Sequence, residues 1–209
     1  MNNIDIFIPA KYEALKTTNE LLSWLKTGLQ KQSVEFENCP NVPHISLYQL
    51  KINDVYIDKI KTQIRDICKN YSKFSFLMNN NIEKVGNNIF WRSYEAIENP
   101  ILQHLLIETV ESIKQFKDSS PLEQISSRFS TLTPEQKSLV DEFGVYWGLP
   151  HNFDPHITLI YNLSRENVTI EKTPLLEKKV RFIAEEISVG IIGYHGNIER
   201  VIYSHPLES

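Results

Sequence analysis

The chain places Pro-His-Ile-Ser-Leu at residues 43–47 and Pro-His-Ile-Thr-Leu at residues 155–159. Each copy alternates polar and apolar residues, the period of a strand with one face on a core. On such a strand His44 and Ser46 point one way and Ile45 and Leu47 the other. His156 and Thr158 likewise share a side, with Ile157 and Leu159 behind them. The apolar sides can pack on helices. An imidazole and a hydroxyl are costly to bury unpaired, so the polar sides are expected to face a cleft. If the two strands face each other, that cleft holds two imidazoles and two hydroxyls. A lone His-x-[Ser/Thr] says little, since about one match arises by chance in a chain with six histidines. The duplicated context carries the weight. The bland alternative is an α+β domain with coincident motifs, which would leave His44 and His156 far apart.

The remaining pattern is α+β. Ile4, Ile6 and Ile8 alternate with Asp5, Phe7 and Pro9, which predicts a first strand at 3–9. Helices are expected over Tyr12–Lys31, Val55–Tyr71 and Pro100–Phe116, where apolar residues recur at helical spacing. Strands are expected at 43–51, 73–78 and 88–94, with a turn through Asn79–Asn88. Residues 118–130 read as a loop or short helix. A helix then follows with full punctuation: Thr133 and Gln136 as a capping box, Pro134 in the first turn and Gly144 as the stop. The second motif is a strand, and residues 185–207 read as two strands around a Gly-Tyr-His-Gly turn. Antiparallel pairs covered by helices follow from this order. Residues 1–209 are expected to form one domain, with an insertion at about 118–150 before the second motif.

Composition narrows the function classes. A formal net charge of −4 argues against a passive binder of long nucleic acid. It leaves room for a small anion in a local pocket. No apolar run is long enough for a membrane span, and the first residues lack the basic region and cleavage pattern of a secretory signal. Cys39 and Cys68 are expected to be free thiols in a reducing cytoplasm. Oligomeric state is not encoded in any feature of the sequence.

Two histidines and two hydroxyls suit phosphodiester chemistry. In-line displacement at phosphorus needs a base on the entering oxygen and an acid on the leaving one, and histidines with a pKa of about 6.5 can share these tasks near neutral pH. Ser46 and Thr158 can donate to the non-bridging oxygens. The scheme requires no metal and no cofactor. Which histidine is acid and which is base is left open.

PHISL and PHITL resemble the paired His-x-[Ser/Thr] motifs of the 2H phosphoesterase superfamily, and GYHGNIERVIYSHPL resembles that family's ending. The resemblance covers most of the chain in order. It implies a bilobal fold, with two antiparallel sheets flanked by helices around a central cleft. It also implies catalytic roles for His44, Ser46, His156 and Thr158, and hydrolysis or cleavage of a 2′,3′-cyclic phosphate or a 2′-5′ linkage in a small nucleotide or short oligonucleotide. LTPEQKSLVDEFG followed by PHITL further resembles the subgroup associated with phosphonate metabolism, with GVYWGLP where that subgroup has Gly-Tyr-Pro. A nucleotide-binding module that keeps the cleft without turnover is the second reading.

Three further residues are candidates for substrate contact. Tyr48 shares parity with His44, so it is expected in the cleft, to stack on a base or donate to a phosphate, or else to pack as a strand-end aromatic. Phe153 precedes the second motif and can stack on a nucleobase, or pack. Arg92 can bind phosphate or lie on the surface. Tyr161 has the opposite parity to His156 and is assigned to the core. His104, His151, His195 and His205 lack a hydroxyl two residues on and are read as surface or structural groups. The segment 118–150 is expected to form a wall or partial cover of the cleft, or else to pack away from it.

Overall fold

The structure, a computed structural model, describes residues 1–36, 42–79, 81–164, 167–193 and 196–208. Along the chain lie β1 (Asn2–Pro9), α1 (Tyr12–Lys31), β2 (His44–Ile52), α2 (Ile57–Cys68), β3 (Phe74–Met78), β4 (Ile82–Val85) and β5 (Asn88–Arg92). They are followed by α3 (Tyr94–Ile97), α4 (Pro100–Ile113), α5 (Glu123–Ser126), α6 (Pro134–Phe143), β6 (His156–Ile160), β7 (Val180–Ala184), β8 (Glu186–Ile192) and β9 (Ile198–Pro206). Among the described residues the strands form three antiparallel sheets, ordered β2-β1-β8-β9, β4-β5-β6 and β3-β7. No helix of the described residues is long and apolar enough to cross a membrane.

Both motif strands are edge strands, β2 of the first sheet and β6 of the second, and the two edges pack against each other. The strand β1 is central to the first sheet and buried on both faces. Ile4, Ile6 and Ile8 form one face of it, under α2 and α4, which cover the sheet. Helix α1 instead crosses to the second lobe, where Leu21, Leu25 and Leu29 bury one stripe and the helix packs on β6 and β7. The buried residues of both lobes join in one contiguous core.

Two strands escape the periodicity. The turn expected at Asn79–Asn88 contains β4, which forms a hairpin with β5, and the charged run before residue 186 contains β7. Both are short and flanked by Asn, Gly or Lys, which hides a period of two. The second lobe therefore holds two sheets, joined where the Asn79 amide donates to the Arg92 carbonyl at 3.0 Å. Fully buried Trp91 braces that seam by donating its indole N–H to the Asn79 carbonyl at 2.8 Å. The expected helices at 55–71 and 100–116 are present but shorter, as α2 and α4 with single 3-10 turns beside them.

The segment 118–150 is packed. Leu122, Ile125, Leu132, Val140, Val145 and Leu149 are all buried. Its helix α6 has the expected reciprocal capping box between Thr133 and Gln136, and ends at Gly144 with φ of 80°.

Each motif strand carries an irregularity at the same place. In β1–β2 the register runs Ile6↔Tyr48 and then Phe7↔Ser46, which leaves Leu47 as an extra residue. In β5–β6 it runs Ile89↔Ile160 and then Phe90↔Thr158, which leaves Leu159 extra. Each is a β-bulge at the leucine after the hydroxyl residue. An extra residue reverses the alternation, so parity counted from the histidine holds only as far as the hydroxyl.

Opposite Asp5 on the other side of β1 sits Gly190 of β8. A Cβ there would lie 2.9 Å from Ile198 Cγ2 and 3.0 Å from Phe7 Cε1. The glycine thus makes room for the Phe7 ring, which packs on His44. Gly190→Ala is expected to destabilise the fold by about 1–3 kcal/mol, the usual effect of overpacking. Urea unfolding measures this, and a midpoint equal to that of the unaltered protein would contradict the packing described.

Candidate active site

The two imidazoles are locked in the same way. His44 Nδ1 lies 2.5 Å from the Val42 carbonyl oxygen, and His156 Nδ1 lies 2.6 Å from the Asp154 carbonyl oxygen. A carbonyl only accepts, so each Nδ1 carries the hydrogen and each Nε2 is left for other partners. The proline of each motif explains the geometry. It favours extended backbone at the residue before it, and that residue supplies the locking carbonyl. The prolines' own carbonyls tie the motifs to neighbouring elements, accepting from Ala10 N–H at 2.8 Å (Pro43) and from Ser93 N–H at 3.1 Å (Pro155). Each ring also has an aromatic neighbour. Phe7 lies 4.9 Å from His44 at 58°, and Phe90 stacks on His156 at 4.1 Å and 26°.

The surroundings of the two rings differ. Asp5, wholly buried, faces the first motif. Its Oδ2 accepts from the Ser46 hydroxyl at 2.6 Å and the Gln49 amide at 2.8 Å, and lies 3.4 Å from His44 Nε2. The Ser46 proton is thereby directed to a carboxylate. This corrects the symmetric expectation that both motif hydroxyls donate into the cleft. The bulge makes the arrangement possible, because it brings Gln49 to the face of Ser46 and opposite Asp5.

At the second motif, Asp154 Oδ2 is 3.7 Å from His156 Nδ1. Arg92 sits opposite His156 across β5–β6, and its guanidinium bridges Glu83 and Asp154 at 3.0 Å each. The His156 pKa is lowered. Burial in the cleft is the main cause, and the Arg92 and His44 charges act the same way against the opposing pull of Asp154. His156, which lines the cleft, is thus biased toward its neutral form, with the lone pair on Nε2.

One cavity of about 890 Å³ joins the motifs, lined by His44, Ser46, His156 and Thr158 together. Phe153 also lines it, half-buried. Tyr48 borders it but is only 2% exposed. Its hydroxyl donates to the Phe143 carbonyl at 2.6 Å on the core side, where burial raises its pKa. Tyr161 is buried but also lines the cavity. Both tyrosines follow from the bulges, which turn Tyr48 toward the core and Tyr161 toward the cleft. Arg92 does not line the cavity, and its guanidinium is engaged by two carboxylates rather than presented to substrate or solvent. His104, His151 and His205 lie outside the lining; Cys39 and His195 fall outside the described residues. Cys68 is a buried free thiol.

Sequence reasoning misses Asp5, Gln49, Phe90 and Trp147. Asp5 has a signal: an acid between isoleucines in a strand with little polar alternation. The others become visible only through register.

The depressed pKa of His156 sets a pH dependence. The unfolded chain holds that proton more tightly, near pH 6.5. The contribution to stability is complete above that value and is lost as pH falls through the folded midpoint. By NMR, the His156 ring is expected to titrate below an ordinary histidine. Arg92→Met, which removes a cation and frees Asp154, is expected to move the midpoint up. A downward shift would show that the guanidinium acts otherwise.

No family model and no curated protein matches the sequence. Solved structures do. Apo LigT of E. coli superposes with a TM-score of 0.63 at 11% identity, covering 100% of this chain and 98% of that one. TT0787 of Thermus thermophilus gives 0.60 at 12% identity, with 99% and 98% covered. Usb1 of Kluyveromyces marxianus gives 0.54 at 11% identity, with 100% and 98% covered. LigT has also been solved with phosphate, NADP+, 3′-AMP and ATP. The α+β arrangement of antiparallel sheets and helices in this chain is the fold of these neighbours.

Proposed function

We propose that the chain is a phosphodiesterase of small nucleotide or short oligonucleotide phosphodiesters, opening a 2′,3′-cyclic phosphate or cleaving a 2′-5′ linkage by two-histidine acid/base catalysis without a metal. One observation carries the reading: two imidazoles, locked through the same backbone contact, line one cavity in a fold shared with phosphoesterases. The nucleotides bound by LigT support a ligand of that size.

The unequal surroundings divide the work. His156, biased to the neutral form, takes the proton from the entering water at Nε2. Water attacks phosphorus in line, and the bond to the ribose oxygen breaks. His44, whose Nε2 faces the Asp5 carboxylate, delivers its proton to that leaving oxygen. Thr158, on the cavity wall, is the hydroxyl suited to the non-bridging oxygens. Ser46 acts through Asp5.

The test is a panel of 2′,3′-cyclic nucleotides, 3′,5′-cyclic nucleotides and 2′-5′ oligonucleotides, assayed with a chelator present. His44→Ala and His156→Ala are each expected to lose about a hundredfold to ten-thousandfold in turnover, with the fold retained by circular dichroism. Full turnover in either variant would end the mechanism. Nucleotide binding without turnover by the unaltered protein would support a binding module instead.

The division of roles has its own check. A p-nitrophenolate leaving group needs no proton, whereas a ribose alkoxide does. Asp5→Asn is expected to impair cleavage of the alkoxide more than that of a nucleoside p-nitrophenyl phosphate. Equal losses on both would place Asp5 in a structural role only.

A further inference from the structure

The cavity extends beyond the histidines. At about 890 Å³ it lies near the upper end of small-ligand sites, roughly 300–1,000 Å³. Its far wall belongs to the segment between α4 and β6. Gln124 of α5 and Arg128 just after it line the cavity, as do Tyr146 and Trp147 from the turn that leads to the second motif.

Arg128 is held over both rings. Its guanidinium carbon is 5.7 Å from the Tyr146 ring centre and 5.4 Å from that of Trp147. The two rings meet edge to face at 4.9 Å and 79°. Among the described lining residues Arg128 is the only Lys or Arg, and it has no carboxylate partner there. Arg92, by contrast, is neutralised by Glu83 and Asp154. A guanidinium held over aromatic rings keeps N–H groups available for an anion.

The wall is tied to the catalytic floor. The Trp147 indole donates to Gln49 Oε1 at 3.3 Å, and Gln49 in turn donates to Asp5. Gly196, with φ of 83°, lies against the same place. A Cβ on it would lie 3.5 Å from the Gln124 amide and 4.0 Å from that of Gln49. Three separate parts of the chain thus converge on one aromatic corner that carries Arg128.

We infer that this corner is a second phosphate subsite. Arg128 takes a phosphate of the substrate other than the one at the histidines, and the intervening nucleoside lies against Trp147 and Tyr146. The substrate class is therefore a nucleotide bearing a second phosphate, either an internucleotide diester or a terminal phosphomonoester. The inference rests on the phosphodiesterase reading.

Kinetics with three substrates test it: adenosine 2′,3′-cyclic phosphate, its 5′-phosphorylated form, and a dinucleotide ending in a 2′,3′-cyclic phosphate. Arg128→Met keeps the aliphatic stem over the rings. It is expected to lower the kcat/KM ratio of a two-phosphate substrate to the one-phosphate substrate by about tenfold to a hundredfold, the usual effect of losing a hydrogen-bonded charge. Arg128→Lys should restore part of the ratio. Whichever two-phosphate substrate responds identifies the source of the phosphate. A ratio unchanged for both overturns the subsite. If the unaltered protein turns over none of the three, the phosphodiesterase reading fails, and calorimetry then decides the subsite by itself. Adenosine 3′,5′-bisphosphate should bind more tightly than adenosine 3′-monophosphate to the unaltered protein, and the advantage should vanish in Arg128→Met. Equal affinities would refute it.

Discussion

A carboxylate without exposed surface sits in the middle of the central strand, and much of the cleft is arranged to satisfy it. Burying Asp5 is costly unless donors surround it. One oxygen gathers Ser46, Gln49 and the edge of His44; the other, Oδ1, has no hydrogen-bond partner among the described residues. To bring Gln49 opposite Asp5 while Ser46 stays on the same face, β2 must gain a residue, and it does so at Leu47. The bulge is thus part of the electrostatics of the site. Gln49 then reaches outward to Trp147, so the same charge steadies the wall contributed by the segment after α4.

The motifs are alike in covalent pattern and backbone lock, and unlike in charge. A proline-positioned carbonyl sets the tautomer in both. Beyond that, His44 meets a carboxylate at Nε2, whereas His156 meets Phe90 on its face and an Asp154 carboxylate shared with Arg92. Equal geometry with unequal fields is what a reaction needs when one group must accept a proton and the other must give one.

The motif strands, the first helix and the capped helix are legible in the sequence because these depend on local periodicity and punctuation. So are the four motif residues that line the cleft. Tyr48 and Tyr161 depart from expectation for one shared reason: alternation carried through a bulge fails, and only strand pairing reveals the bulge. Alternation sets Asp5 on the side of β1 away from its isoleucines, and nothing local shows that β8 and β2 flank that strand on both edges. Arg92 reads as a phosphate ligand or a surface group until Glu83 and Asp154 come beside it, one from an unread strand and the other from the approach to the second motif. The segment 118–150 looks polar because its buried residues are spread among short helical turns.

The placement of both motifs on sheet edges has a consequence for size selection. Neighbouring strands of one sheet would hold two histidines about 4.8 Å apart through backbone ladder bonds. Here β2 and β6 belong to different sheets, so their separation is set by side-chain packing between lobes. Backbone spacing is a constant of proteins, but packing thickness varies with each residue substituted. The gap between the two motifs is therefore adjustable by core substitutions far from the histidines, which would leave both tautomer locks untouched.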